Sequence, residues 1–105
     1  MKAQIFNYSG WVKETDTLKL QETYVNMLKR SGFNILDKVE HFFKPQGYTL
    51  LILLGESHFA IHTFPEHQKS YIELSSCVEK PFNLFIDGLS IENLTIHNKK
   101  TIINT

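Results

Sequence analysis

One cysteine, Cys77, stands among 105 residues, so an internal disulfide is excluded and the thiol is left for chemistry or for packing; such sparse use fits a reducing compartment. Neither sign of charge is in excess, since eleven basic and eleven acidic side chains give a formal net charge of +0 at pH 7. Sequence-independent phosphate binding needs a basic surplus, so nucleic acid is not an expected partner. Long apolar runs are missing too. The longest, Leu50 to Leu54, falls far short of the roughly 20 residues that cross a bilayer. The first residues, Met1-Lys2-Ala3-Gln4-Ile5-Phe6-Asn7-Tyr8, lack the apolar centre of a secretory leader. A soluble, cytoplasmic protein without membrane contact is the expectation. No repeat, linker or low-complexity segment divides the chain.

What is present is core material. Apolar residues make up 42% of the chain, with twelve phenylalanines and tyrosines besides Trp11, enough for one core in one domain over residues 1–105. Ala3 to Tyr8 reads as a strand, with Ser9-Gly10 as a break after it. Asp16 or Thr17 then caps a helix whose Leu18, Leu20, Tyr24, Val25, Met27 and Leu28 form one apolar face, and Lys29, Arg30 and Gly32 mark its end. From Phe33 the period shifts to two, placing Phe33, Ile35, Val39, His41 and Phe43 on one side if a bulge falls near Asp37-Lys38. Lys44-Pro45-Gln46-Gly47 is a turn, and the almost wholly apolar Tyr48 to Leu54 reads as a central strand covered on both faces. Ser57 to Thr63 and Lys69 to Ser75 continue the antiparallel run. Pro81 opens a second helix on Phe82, Phe85, Ile86 and Leu89, Leu94 to His97 suggests a last strand, and the polar tail beyond Asn98 is expected to fray. The sum is an α+β two-layer sandwich, an antiparallel sheet with both helices packed on one face. The other face is left open, which invites a second copy.

Reactive side chains crowd into Gly55-Glu56-Ser57-His58-Phe59-Ala60-Ile61-His62-Thr63-Phe64-Pro65-Glu66-His67, with Cys77 beyond. A metal site is the first reading, but on a strand His58 and His62 lie two pleats apart, roughly 13 Å by the strand rise, too far to share one ion. No metal is expected. A Ser-His-acid triad is the second, without a Gly-x-Ser-x-Gly elbow or an evident orienting acid. A third concerns the Glu56–Ser57 bond itself. A serine in a tight turn can attack its own preceding carbonyl, turning amide into ester, and elimination and hydrolysis then leave a pyruvoyl group; Gly55 would supply the permissive backbone. The plain alternative is a surface turn, with Cys77 a small buried hydrophobe.

The run Glu56-Ser57-His58-Phe59-Ala60-Ile61-His62-Thr63-Phe64-Pro65-Glu66, with Cys77 twenty residues after the serine, resembles the bacterial and archaeal pyruvoyl-dependent S-adenosylmethionine decarboxylase proenzymes. Milder similarity covers Ser31-Gly32 and Phe43-Lys44-Pro45-Gln46-Gly47. The resemblance implies self-cleavage between Glu56 and Ser57, with Ser57 becoming a covalent pyruvoyl cofactor that forms a Schiff base with the substrate amine. It implies His62 as the processing histidine and Cys77 as the donor that protonates the substrate carbon after carbon dioxide leaves. A thiol is largely protonated at neutral pH and suits that task. It further implies that Phe43 and Phe64 sandwich the adenine of S-adenosylmethionine, that Glu66 holds the ribose hydroxyls, and that the protein is a homodimer feeding spermidine synthesis. Departures are Ser76-Cys77-Val78 where Thr-Cys-Gly is usual, Phe64 where tryptophan is frequent, Gln68-Lys69-Ser70-Tyr71 where a Gly-Tyr pair is common, and Thr49 where a serine is typical. Two competing readings stay open: a pyruvoyl enzyme for ornithine or arginine, and an uncleaved homologue that only binds or regulates. Phe64 and Glu66 speak against the first, since a substrate without a nucleoside has no need of them. Val78 and the short termini motivate the second.

Overall fold

The computed structural model describes residues 3–92 and 97–104. Six strands form one antiparallel sheet in the order β2-β3-β4-β5-β1-β6. They are β1 (Gln4–Val12), β2 (Ile35–Phe42), β3 (Tyr48–Leu54), β4 (Ser57–Phe64), β5 (Lys69–Ser76) and β6 (His97–Asn104). Helix α1 (Thr17–Arg30) follows β1, and α2 (Glu79–Glu92) follows β5. The expected two-layer α+β sandwich is present. Tyr24 of α1 stacks on Phe59 of β4 at 5.5 Å between ring centres, and Phe85 of α2 meets Phe59 edge-on at 5.7 Å. Both helices therefore cover the same face.

Local chemistry sets the boundaries of α1. The Asp16 carboxylate accepts the Lys19 N–H at 3.0 Å, satisfying one of the orphan amides at the helix start. At the other end Gly32 takes φ 100°, a left-handed conformation that costs glycine little, and Phe33 N–H donates back to the Leu28 carbonyl at 3.0 Å. Helix α2 starts two residues before Pro81. Nothing is lost there, because the first four amides of a helix have no partner within it and proline lacks one anyway.

Several expectations change. Ser9-Gly10 is not a break: β1 runs on to Val12, and a Cβ at residue 10 would lie 2.8 Å from the His97 carbonyl oxygen and 2.9 Å from the Tyr8 hydroxyl. Glycine is there because two neighbours approach closely. The polar tail does not fray, since His97–Asn104 pairs along β1 as an edge strand, a place where exposed polar side chains are tolerated. The last strand expected at Leu94 to His97 lies, apart from His97, outside the described residues. Strand β3 is covered on one face only: Tyr48, Leu50, Ile52 and Leu54 are buried, while Leu51 and Leu53 are 47% and 52% exposed. Strand β2 lies at the edge of the sheet, with its bulge between Ile35 and Asp37. The sheet's second face thus stays open, and its β2–β3 side carries the apolar Val39, Leu51 and Leu53.

Candidate active site

The hairpin between β3 and β4 has only two residues in its loop, Gly55 and Glu56, with Leu54 opposite Ser57. Such a tight connection needs a positive φ, and the residue that supplies it is Glu56, at φ 59°. The strain expected at Gly55 therefore sits on the residue whose carbonyl begins the candidate bond. A non-glycine residue is held there at some cost, which the surrounding contacts must offset. The Gly55 N–H donates to the Asn34 carbonyl at 3.0 Å, and the Cys77 N–H donates to the Glu56 carbonyl at 3.1 Å.

Ser57 opens β4 with its side chain on the helix-covered face, the parity shared by Phe59 and Ile61. Its Oγ lies 2.7 Å from the Glu56 carbonyl oxygen and 2.7 Å from the Ser76 Oγ. Ser76 is the cross-strand partner of Ser57 at the end of β5. The next residue, Cys77, turns its thiol outward to solvent. Glu56, Ser57 and Cys77 are thus brought together at one end of the sheet. A hydroxyl, an adjacent strained peptide and an amide aimed at that peptide's oxygen form a set suited to attack on the carbonyl.

At the opposite end a second group assembles. Phe43, Gln46, Thr49, His62, Phe64 and Glu66 line one shallow cavity of about 260 Å³. The turn after β2 closes through a hydrogen bond from Phe43 N–H to the Gly47 carbonyl at 2.8 Å, and it presents Phe43, 51% exposed, to the cavity. Phe43 is not a core residue. The Gln46 side-chain amide donates to the Glu66 carboxylate at 3.0 Å. His62 Nδ1 is hydrogen-bonded to Thr49 Oγ1 at 2.9 Å across the β3–β4 pair. When Nδ1 is the donor, Nε2 carries a lone pair able to take a proton. Tyr71 stacks beside the imidazole at 6.2 Å, and burial together with its hydrogen bond to Glu73 raises the Tyr71 hydroxyl above the ordinary tyrosine range. Phe64 rests on Trp11 at 5.7 Å.

His62 is not brought to Ser57 within the chain. Five residues along one strand separate them by roughly 16 Å, and an odd offset puts their side chains on opposite faces of the sheet. Sequence reasoning passed over Ser76, Gln46, Trp11 and Tyr71, because what recommends them is contact across strands. Among the described residues no three histidine, cysteine, aspartate or glutamate side chains gather as metal ligands would. None of the described helices is long and apolar enough to cross a membrane.

Known proteins place this geometry in a lineage. The profile of the S-adenosylmethionine decarboxylase family matches residues 5–99. The S-adenosylmethionine decarboxylase proenzyme of Prochlorococcus marinus is 40% identical over 65 residues, 62% of this chain and 52% of that one. The proenzyme of the same name from Bacillus velezensis is 34% identical over 71 residues, 68% of this chain and 56% of that one. The matched part therefore spans about half the length of these curated relatives. In fold, the crystal structure of the adenosylmethionine decarboxylase from Aquifex aeolicus superposes with a TM-score of 0.69, covering 97% of this chain and 89% of that chain at 18% identity. With a family match across nearly all of its residues and a serine poised on its own peptide bond, the chain belongs to the S-adenosylmethionine decarboxylase family.

Proposed function

We propose that the chain is a cytoplasmic proenzyme that cleaves itself between Glu56 and Ser57, then decarboxylates S-adenosylmethionine to give the aminopropyl donor for spermidine synthesis. The observation that carries the reading is the Ser57 hydroxyl 2.7 Å from the carbonyl oxygen of the bond it would break, in a loop strained at Glu56. Attack forms a bond from Ser57 Oγ to the Glu56 carbonyl carbon and breaks that carbon's bond to nitrogen. The hydroxyl proton ends on the departing nitrogen, and the Cys77 N–H faces the oxygen on which negative charge develops. Loss of the Ser57 Cα proton then breaks the Cβ–Oγ bond, leaving Glu56 as a carboxylate. Water replaces the nitrogen, which departs as ammonia, and residue 57 is left as pyruvoyl.

Those residues fit the group: the nucleophile adjoins the bond, and the thiol of Cys77 stands at the same end of the sheet. Once formed, the pyruvoyl group supplies an electron sink of the kind pyridoxal phosphate gives elsewhere. Cys77 then delivers a proton from Sγ to the substrate carbon. The flat rings of Phe43 and Phe64 can hold a purine, and the Glu66 carboxylate, occupied here by Gln46, can accept hydrogen bonds from a ribose.

The reading includes a homodimer. A cavity of about 260 Å³ is smaller than the roughly 300–1,000 Å³ usual for a small-molecule site, and it lies a strand's length from Ser57. Two copies packed by their open faces around a two-fold axis near Ala60 would set the Ser57 end of one β4 over the His62 end of the other. The exposed Leu51 and Leu53 supply apolar surface for that contact.

Intact-mass spectrometry of the purified protein tests cleavage. The expected result is two pieces, one ending at Glu56 and one beginning with a blocked residue 57, whereas Ser57→Ala gives a single chain. A folded wild-type chain that remains whole would sink the proposal. For the substrate, carbon dioxide release from S-adenosylmethionine should exceed that from ornithine or arginine, and a preference for either free amino acid would overturn the assignment.

A further inference from the structure

We infer that Ser76 is the positioning residue of the cleavage step, a role that rests on the self-cleavage reading above. Its side chain is 1% exposed, and its hydroxyl has every hydrogen-bonding position used. Ser76 Oγ donates to the Val78 carbonyl at 3.0 Å, accepts the Val78 N–H at 3.0 Å, and accepts the Ser57 hydroxyl at 2.7 Å. A hydroxyl offers one proton and two lone pairs, so this set fills it completely. The arrangement fixes the position of the Ser57 Oγ. The Ser57 Oγ is held between the Ser76 Oγ and the Glu56 carbonyl oxygen, each 2.7 Å away, beside the peptide bond it would attack.

The same short segment acts on both partners of the reaction. Ser76 holds the nucleophile from the side chain, while the backbone amide of Cys77, one residue on, holds the Glu56 carbonyl oxygen at 3.1 Å. Turning the chain at Val78, through the two contacts to Ser76, is what aims both groups at the hairpin. Ser76 does not take up the proton for good, since a hydroxyl whose own proton is committed to a carbonyl is a poor base. It fixes orientation, and a nucleophile released from its attack geometry loses rate on the order of a hundredfold.

The test compares Ser76→Thr, Ser76→Val and Ser76→Ala in the full chain during cell-free synthesis. Labelled methionine serves, because both methionines, Met1 and Met27, precede the bond, and the label then follows the uncleaved chain into its front piece. Thr should cleave within about threefold of wild type, while Val and Ala should be slowed at least tenfold, on the order expected for lost orientation. Thr and Val have the same shape, so their difference reads the hydroxyl alone. Val or Ala cleaving at the wild-type rate would overturn the inference, and so would Thr as slow as Val. In the uncleavable Ser57→Ala background, thermal unfolding should show the Ser76→Ala, Ser76→Val and Ser76→Thr chains all folded at the assay temperature, which separates folding from chemistry. A wild-type chain that stays whole defeats the cleavage reading itself, a result distinct from equal rates among the variants.

Discussion

At the scale of single residues, the two roles proposed for Cys77 can be pulled apart. Its backbone amide faces the Glu56 carbonyl, whereas its thiol is exposed to solvent. Cys77→Ala keeps the amide and removes the thiol. The variant is expected to cleave normally and to lose decarboxylation by roughly 10²–10⁴-fold, the range for a missing general acid. Intact mass alongside carbon dioxide release checks both halves. Loss of cleavage in this variant would move the thiol into the first step. Glu56 shows the same division between backbone and side chain, for its positive φ serves the turn while its carboxylate is exposed.

At the scale of elements, β1 joins the edge strand β6 to the rest of the sheet, pairing with β5 on one side and β6 on the other. Gly10 sits at its crowded point. Gly10→Ala must push its Cβ against the His97 carbonyl and the Tyr8 hydroxyl, at 2.8 and 2.9 Å. Overpacking of this kind costs about 1–3 kcal/mol, and thermal or denaturant unfolding of the uncleaved Ser57→Ala chain is the measurement. An unchanged midpoint would show that β6 yields freely. The β3–β4 hairpin makes a second point: a two-residue loop ties the candidate bond to paired strands on both sides, so its strain cannot relax by fraying.

At the scale of the molecule, the proposed reading requires the two residue groups at opposite ends of β4 to act together, and a single chain keeps them apart. A mixed dimer decides whether a second copy joins them. Ser57→Ala lacks the nucleophile but keeps His62; His62→Ala keeps the nucleophile but lacks the imidazole. Each alone is expected to stay whole. Produced together with distinguishable tags, the His62→Ala chain should be cleaved in the mixed dimers, because on the proposed packing the His62 end of one β4 lies over the Ser57 end of the other. Tagged pull-down with mass spectrometry reads the outcome, and mixed dimers that form without any cleavage would defeat the shared-site arrangement.

The sequence by itself determined what depends on near neighbours along the chain. The period of Leu20, Tyr24, Met27 and Leu28 and the Asp16 cap wrote α1 into the chain, and a nucleophile that attacks its own preceding carbonyl is legible because covalent adjacency guarantees spatial adjacency. The stretch from Glu56 to Glu66 carried the family in the same local way. Tertiary structure decided whatever required a distant partner. Only strand pairing shows that Gly10 lies within a strand, that the polar tail is β6, and that Ser76 stands across from Ser57. Only the stacking of helices on one face shows that half of the apolar β3 is left uncovered. The same pairing divides the candidate site, because a strand extends about 3.3 Å per residue and turns successive side chains to opposite faces. Residues five apart in the sequence are neighbours in the text and strangers in space.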